Sequence, residues 1–341
     1  MPAPTAISVS SAPAAGEAGL RDRFGRTITD ARISITDRCN YRCVYCREGA
    51  EPARAGSELS WEAWRQVLGV LRRLGIRKLR FTGGEPLLRP GLEAFLATLA
   101  PLGFEDLALT TNGHLLAERA AGLRAAGLDR ITVSLDSVQP EKFARITRVP
   151  GAWERVRAGI AAAVTAGLEP VKINAVLLRG FNDDEIEAFA EFARAERVAV
   201  RFIEFMPLEE GRLWTPEIVV TMSEILARLE ARYRLEPLAG ERSETARRFR
   251  FADGAPGEIG IIAPVSRPFC GHCSRIRLTA DGKVRTCLFS LREWPLAPAL
   301  EAGEDGLEAL FRRAVAHKEE RHHIGEPGFQ RPSRTMVHIG G

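Results

Sequence analysis

Six cysteines stand in two tight groups along a chain of 341 residues. Cys39, Cys43 and Cys46 are spaced C-x3-C-x2-C, and Cys270, Cys273 and Cys287 are spaced C-x2-C-x13-C. A secreted disulfide scaffold of this length would be odd, because a large core needs no staples. Two thiol triplets point instead to metal. Three thiolates can wrap one corner of a cubane iron–sulfur cluster and leave the fourth iron open to a substrate or cofactor. Structural zinc wants four ligands, often in C-x2-C pairs, and the first triplet has no further Cys or His at a matching offset. The second triplet leaves both readings open: a second cluster with an open iron, or zinc with a recruited histidine. His272 lies inside its C-x2-C pair and cannot easily turn back to the same metal. Within this second set, Ser274-Arg275-Ile276-Arg277-Leu278 places two arginines on one face of a strand. They would aim together at whatever sits beside the metal, or form a solvated cationic face. Arginine suits bidentate contact with phosphate or a carbonyl oxygen. The other histidines (His114, His317, His322, His323 and His338) show no ligand spacing and read as structural or surface groups. No Ser-His-Asp or paired-carboxylate pattern stands out.

The composition is that of an ordinary globule, with 45% hydrophobic and 27% charged residues. Lys plus Arg total 48 against 44 Asp plus Glu, a net charge of +4. That excludes an acidic solvating chain and does not demand nucleic acid. No run approaches ~18 uninterrupted apolar residues, so no membrane span is expected. The opening stretch lacks the basic start and apolar core of a secretory signal, so residues 1–30 read as a disordered leader and the cytoplasm as the compartment.

From Ala31 short apolar runs alternate with helical-period segments. Strands are predicted at 32–36, 77–82, 105–111, 130–135, 171–178 and 199–205, with helices near 60–74, 91–101, 115–126, 152–167 and 183–195. Trp61, Trp64, Leu68, Leu71 and Leu74 form one buried stripe on the first helix. Asn182 with Glu185, and Thr221 with Glu224, read as capping boxes. Gly75, Gly127 and Gly167 sit where helices should stop. Six strand–helix units argue for parallel strands with right-handed crossovers. The fold class is therefore α/β: an open, partial TIM-type barrel over 31–215, with a doubly wound sheet as second choice. In the C-terminal region, 216–341, residues 240–257 read as a loop or linker. Strand-like pieces follow at 258–263, 274–279 and 283–288, the last two joined by the hairpin turn Ala280-Asp281-Gly282. A helix at 305–318 and an irregular tail complete the chain.

The C-x3-C-x2-C triplet directly after the first strand, Tyr45 before its last cysteine, and Gly83-Gly84-Glu85-Pro86 at the end of the second strand resemble the radical S-adenosylmethionine superfamily. From Arg32 to Gly341 the runs RISITDRCNYRCVYC, RFTGGEPLLR, LTTNG, SLDS, VKIN, RFIEFMP and FCGHCSRIRLTADGK, with the final Gly-Gly, resemble more closely the GTP 3′,8-cyclase family of molybdenum cofactor biosynthesis. The resemblance implies two 4Fe–4S clusters. One, on Cys39, Cys43 and Cys46, would bind S-adenosylmethionine and start hydrogen abstraction from the ribose of GTP. The other, on Cys270, Cys273 and Cys287, would hold guanine and lie in a C-terminal segment that closes the barrel. Tyr45, Gly84, Glu85, Ser134 and Met206 would line the S-adenosylmethionine pocket, where free backbone groups of the glycine turn would meet the methionine amino group. Arg32, Lys78, Arg80, Thr110, Lys172, Arg275, Ile276 and Arg277 would contact GTP, with Arg275 and Arg277 completing the catalytic site. The tail would be a flexible arm reaching the cavity. Implied partners are a flavodoxin- or ferredoxin-type electron donor and the next enzyme of the pathway, with a homodimer as the family expectation and no nucleic acid or membrane. A radical enzyme acting on a peptide, and a zinc-containing binding protein or electron carrier, are the other readings.

Overall fold

The computed structural model describes residues 19–46 and 58–340. Strands β1 (Leu20–Arg21) and β2 (Thr27–Ile28) pair as a small hairpin. Residues 19–30 are therefore ordered, contrary to a leader reaching residue 30, and residues 1–18 lie outside the described chain. Asp22 is the reason: its buried carboxylate accepts from the backbone amides of Phe24 and Arg26 and pairs with the Arg26 guanidinium at 2.5 Å. A polar sequence signal concealed a satisfied, buried ion pair.

Six parallel strands then alternate with helices: β3 (Asp30–Ser34), β4 (Lys78–Thr82), β5 (Asp106–Thr111), β6 (Arg130–Ser134), β7 (Lys172–Leu177) and β8 (Ala199–Glu204). The crossover helices are α1 (Trp61–Arg73), α2 (Leu92–Ala97), α3 (Leu116–Ala125), α4 (Pro140–Thr147), α5 (Ala152–Thr165) and α6 (Ile186–Glu196). The helix α4 was not foreseen from sequence, and α2 ends early, followed by a single 3-10 turn. The stripe on α1 is buried at Trp64, Leu68, Leu71 and Leu74, with Trp61 half-buried. Gly75, Gly127 and Gly167 carry φ of 90°, 94° and 73° just beyond their helices.

The C-terminal region adds α7 (Met222–Glu230), β9 (Leu235–Leu238), β10 (Ala246–Phe251), β11 (Glu258–Ile262), β12 (Arg275–Leu278), β13 (Lys283–Arg285), β14 (Trp294–Pro295), α8 (Ala297–Glu301), α9 (Gly303–Ala316) and α10 (Met336–Ile339). The predicted loop at 240–257 contains β10, whose charged residues alternate with buried Ala246, Phe249 and Phe251. Thr221 and Glu224 form the expected capping box of α7. Asn182 and Glu185 do not form one. The Asn182 amide binds the carbonyls of Asp136 and Val176, and Glu185 accepts from Ser137 Oγ and the Val138 amide, so this pair ties the ends of β6 and β7 together.

All of these strands except the hairpin form one open sheet, in the order β14-β13-β12-β3-β4-β5-β6-β7-β8-β11-β10-β9. β12 pairs in parallel with β3 and β11 in parallel with β8. Two strands from the C-terminal region thus extend the six-strand barrel at both edges. They are consecutive in the chain, so residues 263–274 cross from one edge of the barrel to the other.

The alternation along the strands decides what lies inside. Ile33, Phe81, Leu109, Val133, Ile173 and Phe202 are fully buried toward the helices. Their neighbours Arg32, Arg80, Thr110, Thr132, Lys172 and Arg201 face the other way, into the barrel. The apolar core is a shell between sheet and helices, and the barrel interior is polar. Among the described residues no helix is long and apolar enough to cross a membrane. Trp64, fully buried under α1, is a keystone of that shell: Trp64→Ala is expected to lower stability by about 3–5 kcal/mol, read as a fall in the urea midpoint at unchanged m-value.

Candidate functional site

The loop carrying the first cysteine set leaves the C-terminal end of β3. Its course is fixed by the turn after β4. The amides of Gly84 and Glu85 donate to the carbonyls of Thr36 and Arg38 at 2.8 and 2.7 Å. A Cβ on Gly84 would stand 2.4 Å from the Arg38 carbonyl oxygen, so only glycine permits this approach. These two amides are engaged by the chain itself, so of the backbone amides and carbonyls expected to meet a methionine amino group, it is the carbonyls that an ammonium donor would use. Farther along the loop, the amides of Arg42 and Val44 donate to the carbonyls of Thr147 and Ile146 at the end of α4. The unforeseen helix is thus the second anchor of the cysteines.

Glu85 is fully buried. Its carboxylate accepts from the amide of Leu87 at 2.9 Å, from Thr111 Oγ1 at 2.7 Å and from the amide of Asn112 at 2.6 Å. Burial raises its pKa to about 7 against the pull of those donors. It joins the ends of β4 and β5. Gly84 and Glu85, expected at the cofactor, brace the loop that carries the first cysteine set, and neither is among the residues lining the upper cavity.

Tyr45, Ser134 and Met206 do line the upper cavity, of about 240 Å³. Tyr45 donates to Asp136 Oδ2 at 2.6 Å, and Asp136 Oδ1 accepts the Val176 amide at 2.8 Å. Burial pushes Asp136 up to about 6. Asp136 and Asn174 were missed from sequence, although alternation from Ser134 and Lys172 puts both on the inner face. Cys270, Cys273 and Cys287 line the same cavity. His322, read as structural or surface, also reaches it and packs on Phe289 with ring centres 5.4 Å apart.

Within each set the thiols are near enough to influence one another electrostatically. Burial raises the Cys43 thiol, and the nearby Asp136, Cys46 and Cys39 add to the rise. Burial also opposes ionisation of Cys273, but Arg275, Lys318 and Arg26 overcome it and bring this thiol to about 6. Arg275 Nη2 donates to Cys273 Sγ at 3.5 Å. Among the described residues no three Cys, His, Asp or Glu side chains converge tightly enough for a single metal ion. A cluster whose irons each take one thiolate asks for a looser spread of soft ligands. The donor chemistry of both sets fits an iron–sulfur cluster.

Below lies a second cavity, of about 510 Å³, which shares Arg32, Thr110, Asn174 and Arg275 with the first. Its wall holds Arg32, Lys78, Arg80, Arg130, Lys172, Arg201, Arg248 and Arg275 against Asp30, Asp106, Glu241, Glu244 and Glu258. Several are paired. Arg130 binds Asp106 at 2.6 Å, Arg248 binds Glu258 at 2.6 Å, and Lys78, expected among the GTP contacts, binds Glu241 at 2.8 Å. Arg32, Arg80, Lys172 and Arg201 form no ion pair among the described residues. Arg80 donates to Thr132 Oγ1 at 2.9 Å and to Thr110 Oγ1 at 3.3 Å. Arg201 Nε is buried without a hydrogen-bond partner. Burial, then repulsion from Arg201, Arg130 and Arg80, lowers Lys172 to about 6. Burial and the neighbouring Arg275 lower Arg32 to about 10. Arg201 was missed from sequence, though a lone arginine inside Ala-Val-Arg-Phe-Ile is the signal that could have found it.

Arg275 and Arg277 lie on one face of β12, as expected, and both border the upper cavity. Ile276 does not join them. Its side chain is fully buried on the opposite face beside Ala31, as strand alternation requires. Arg277 donates to the carbonyl of Gly340 at 2.5 Å, so the chain's penultimate residue lies in the barrel wall; Gly341 is outside the described residues.

Residues 33–193 match the Radical SAM superfamily, and residues 198–324 match Molybdenum Cofactor Synthesis C. A Corynebacterium glutamicum protein named GTP 3′,8-cyclase is 45% identical across 96% of this chain and 91% of its own. A Geobacter sulfurreducens protein of the same name is 44% identical across 94% of this chain and 99% of its own. Streptococcus suis SuiB bound to S-adenosylmethionine is 12% identical with a TM-score of 0.54, covering 80% of this chain and 62% of that one. This chain thus spans less than two thirds of SuiB, and the likeness is one of fold. With both halves matched and such identity sustained over nearly its whole length, the chain belongs to the GTP 3′,8-cyclase family of the radical S-adenosylmethionine superfamily.

Proposed function

We propose that this chain converts GTP to (8S)-3′,8-cyclo-7,8-dihydroguanosine 5′-triphosphate, the first step of molybdenum cofactor biosynthesis. The observation that carries the substrate is the group of four half-buried basic side chains, Arg32, Arg80, Lys172 and Arg201, that form no ion pair among the described residues and line a cavity sharing wall residues with the one bordered by Tyr45 and by Cys270, Cys273 and Cys287. Such charges are costly unless a ligand pairs them, and a triphosphate brings about four negative charges in a compact group. When bound, a 4Fe–4S cluster on Cys39, Cys43 and Cys46 with S-adenosylmethionine supplies one-electron cleavage of the sulfonium and so hydrogen abstraction.

The chain's own residues do the positioning. The four cations hold the phosphates at the lower end, with Arg130 and Lys78 held back by Asp106 and Glu241. Arg275 stands where the two cavities meet and reaches both the lower space and Cys273. It is placed to fix the nucleoside between phosphate cradle and upper cavity. Tyr45, Ser134, Asn174 and Met206 shape the wall on the side of the first cysteine set, and apolar Ile203, Phe205, Leu208 and Ile262 exclude water from it. Cys270, Cys273 and Cys287 are placed to carry the second cluster, against which the base would rest. An electron donor of flavodoxin or ferredoxin type, a following pathway enzyme, a homodimer and a cytoplasmic setting complete the reading.

The deciding test is anaerobic incubation of the reconstituted chain with reductant, S-adenosylmethionine and GTP. The cyclised nucleotide is expected. Formation of 5′-deoxyadenosine with no new guanine product would end the cyclase reading. Metal analysis should give about eight irons per chain for two cubanes, and zinc alone would sink both clusters. Arg80→Ala removes a charge-assisted contact of roughly 1.5–3 kcal/mol. The expected result is a rise of about ten- to a hundredfold in the KM for GTP.

Lys172 gives a pH signature. Its pKa near 6 in the ligand-free chain, against 10.5 ordinarily, leaves it neutral above about pH 6. Between these values the unfolded chain holds the proton and the folded chain does not, so this group makes stability rise with pH across that window. A triphosphate restores the charged form, and binding at pH 7.5 should take up a proton from buffer. Calorimetry in buffers of different ionisation enthalpy reads that uptake; equal uptake in Lys172→Met would refute it.

A further inference from the structure

The second cysteine set is gripped by a segment with no place in the scheme above. Lys318, Glu319 and Glu320 follow α9. Lys318 is 2% exposed, and its ammonium donates to the carbonyl of Arg275 at 2.9 Å and to that of Thr286. Those residues lie two beyond Cys273 and one before Cys287. The Glu319 carboxylate accepts from Thr286 Oγ1 at 2.7 Å. The backbone carbonyls of Glu319 and Glu320 accept from the Arg26 guanidinium at 2.6 and 2.7 Å, and the same guanidinium donates to the carbonyl of Cys270 at 2.7 Å. One short segment therefore reaches the backbone at or beside all three cysteines.

The charges in this grip are unequal. Arg26 is balanced by Asp22. Lys318 has only carbonyl dipoles, with no carboxylate at ion-pair distance among the described residues. A buried ammonium in that state needs an anion nearby. Its two carbonyl partners lie on the backbone that carries Cys273 and Cys287, so the charge is held beside the second cysteine set. The Glu319 carboxylate, held on Thr286 Oγ1, places an opposite charge next to Cys287.

We infer that Lys318 is the buried counter-charge of an anionic iron–sulfur cluster on Cys270, Cys273 and Cys287, held in place by the clamp it forms with Arg26 and Glu319. The inference rests on the second-cluster reading above. Reduction adds one negative charge to the cluster, so a buried cation beside it favours the reduced state and a carboxylate disfavours it. Lys318 is a positioning residue, and it sets how readily that cluster accepts an electron.

The test uses the full-length chain with Cys39→Ala, Cys43→Ala and Cys46→Ala, reconstituted anaerobically, so that only the second set can hold iron. Binding of about four irons is the starting condition, and failure to bind them would overturn the second-cluster reading itself. The reduction potential is then followed by electron paramagnetic resonance during redox titration. Lys318→Met should lower the reduced-to-oxidised ratio at fixed potential at least tenfold, a shift of about 59 mV for a one-electron couple. Glu319→Gln should move the ratio the other way. Unchanged potentials in a loaded Lys318→Met protein would overturn the inference. If Lys318→Met loses its iron, Lys318→Arg decides: retention of iron supports the counter-charge, and equal loss in both overturns it.

Discussion

Positive charge that the protein leaves uncompensated governs this architecture. A barrel interior normally fills with apolar side chains. Here the strands turn their apolar residues outward to the helices and present arginine, lysine, threonine and asparagine inward. Such an interior cannot collapse into a dry core, so the space stays open. The stability lost there is recovered in the outer shell, where Trp64, Phe81, Phe189 and Phe202 are fully buried. The acidic residues of the cavity show how selective the arrangement is. They neutralise Lys78, Arg130 and Arg248, while Arg32, Arg80, Lys172 and Arg201 form no ion pair among the described residues.

The two cysteine sets are built by different means. The first depends on backbone proximity, with a glycine turn on one side and the end of α4 on the other. The second depends on buried side-chain charges, with Arg26 and Lys318 reaching backbone carbonyls around it. Glu204 adds a third kind of support. Its fully buried carboxylate accepts from the amides of Met222, Val265 and Ser266, tying the end of β8 both to α7 and to the segment that leads to Cys270.

Much of this was legible in the sequence, and the parts that were not share a cause. The six parallel strands followed from local apolar periodicity, and the cysteine triplets from spacing. Arg32, Arg80 and Lys172 were assigned through the family resemblance, and strand alternation added that Lys78 and Arg80 share a face. What escaped depended on distant partners. Asp22 and Arg26 look like solvated loop residues until the chain segments near 270 and 320 arrive to bury Arg26. Asn182 and Glu185 have the spacing of a helix cap, but Asp136, Val176 and Ser137 claim them. Glu85 sits in the motif that marks the cofactor pocket, yet its oxygens are taken by Leu87, Thr111 and Asn112. Ile276 fell to the alternation that correctly placed its two neighbours.

The crossing of residues 263–274 from β11 to β12 has a mechanical meaning. This segment is a tie between the two margins of an unclosed cylinder, and it carries Cys270 and Cys273. β11 finishes at the C-terminal end of the sheet and β12 begins at its N-terminal end, so the strap runs obliquely from one margin to the other and splaying of the sheet must be transmitted to Cys270 and Cys273. The aperture of the cylinder and the location of the second cysteine set are one coordinate, not two.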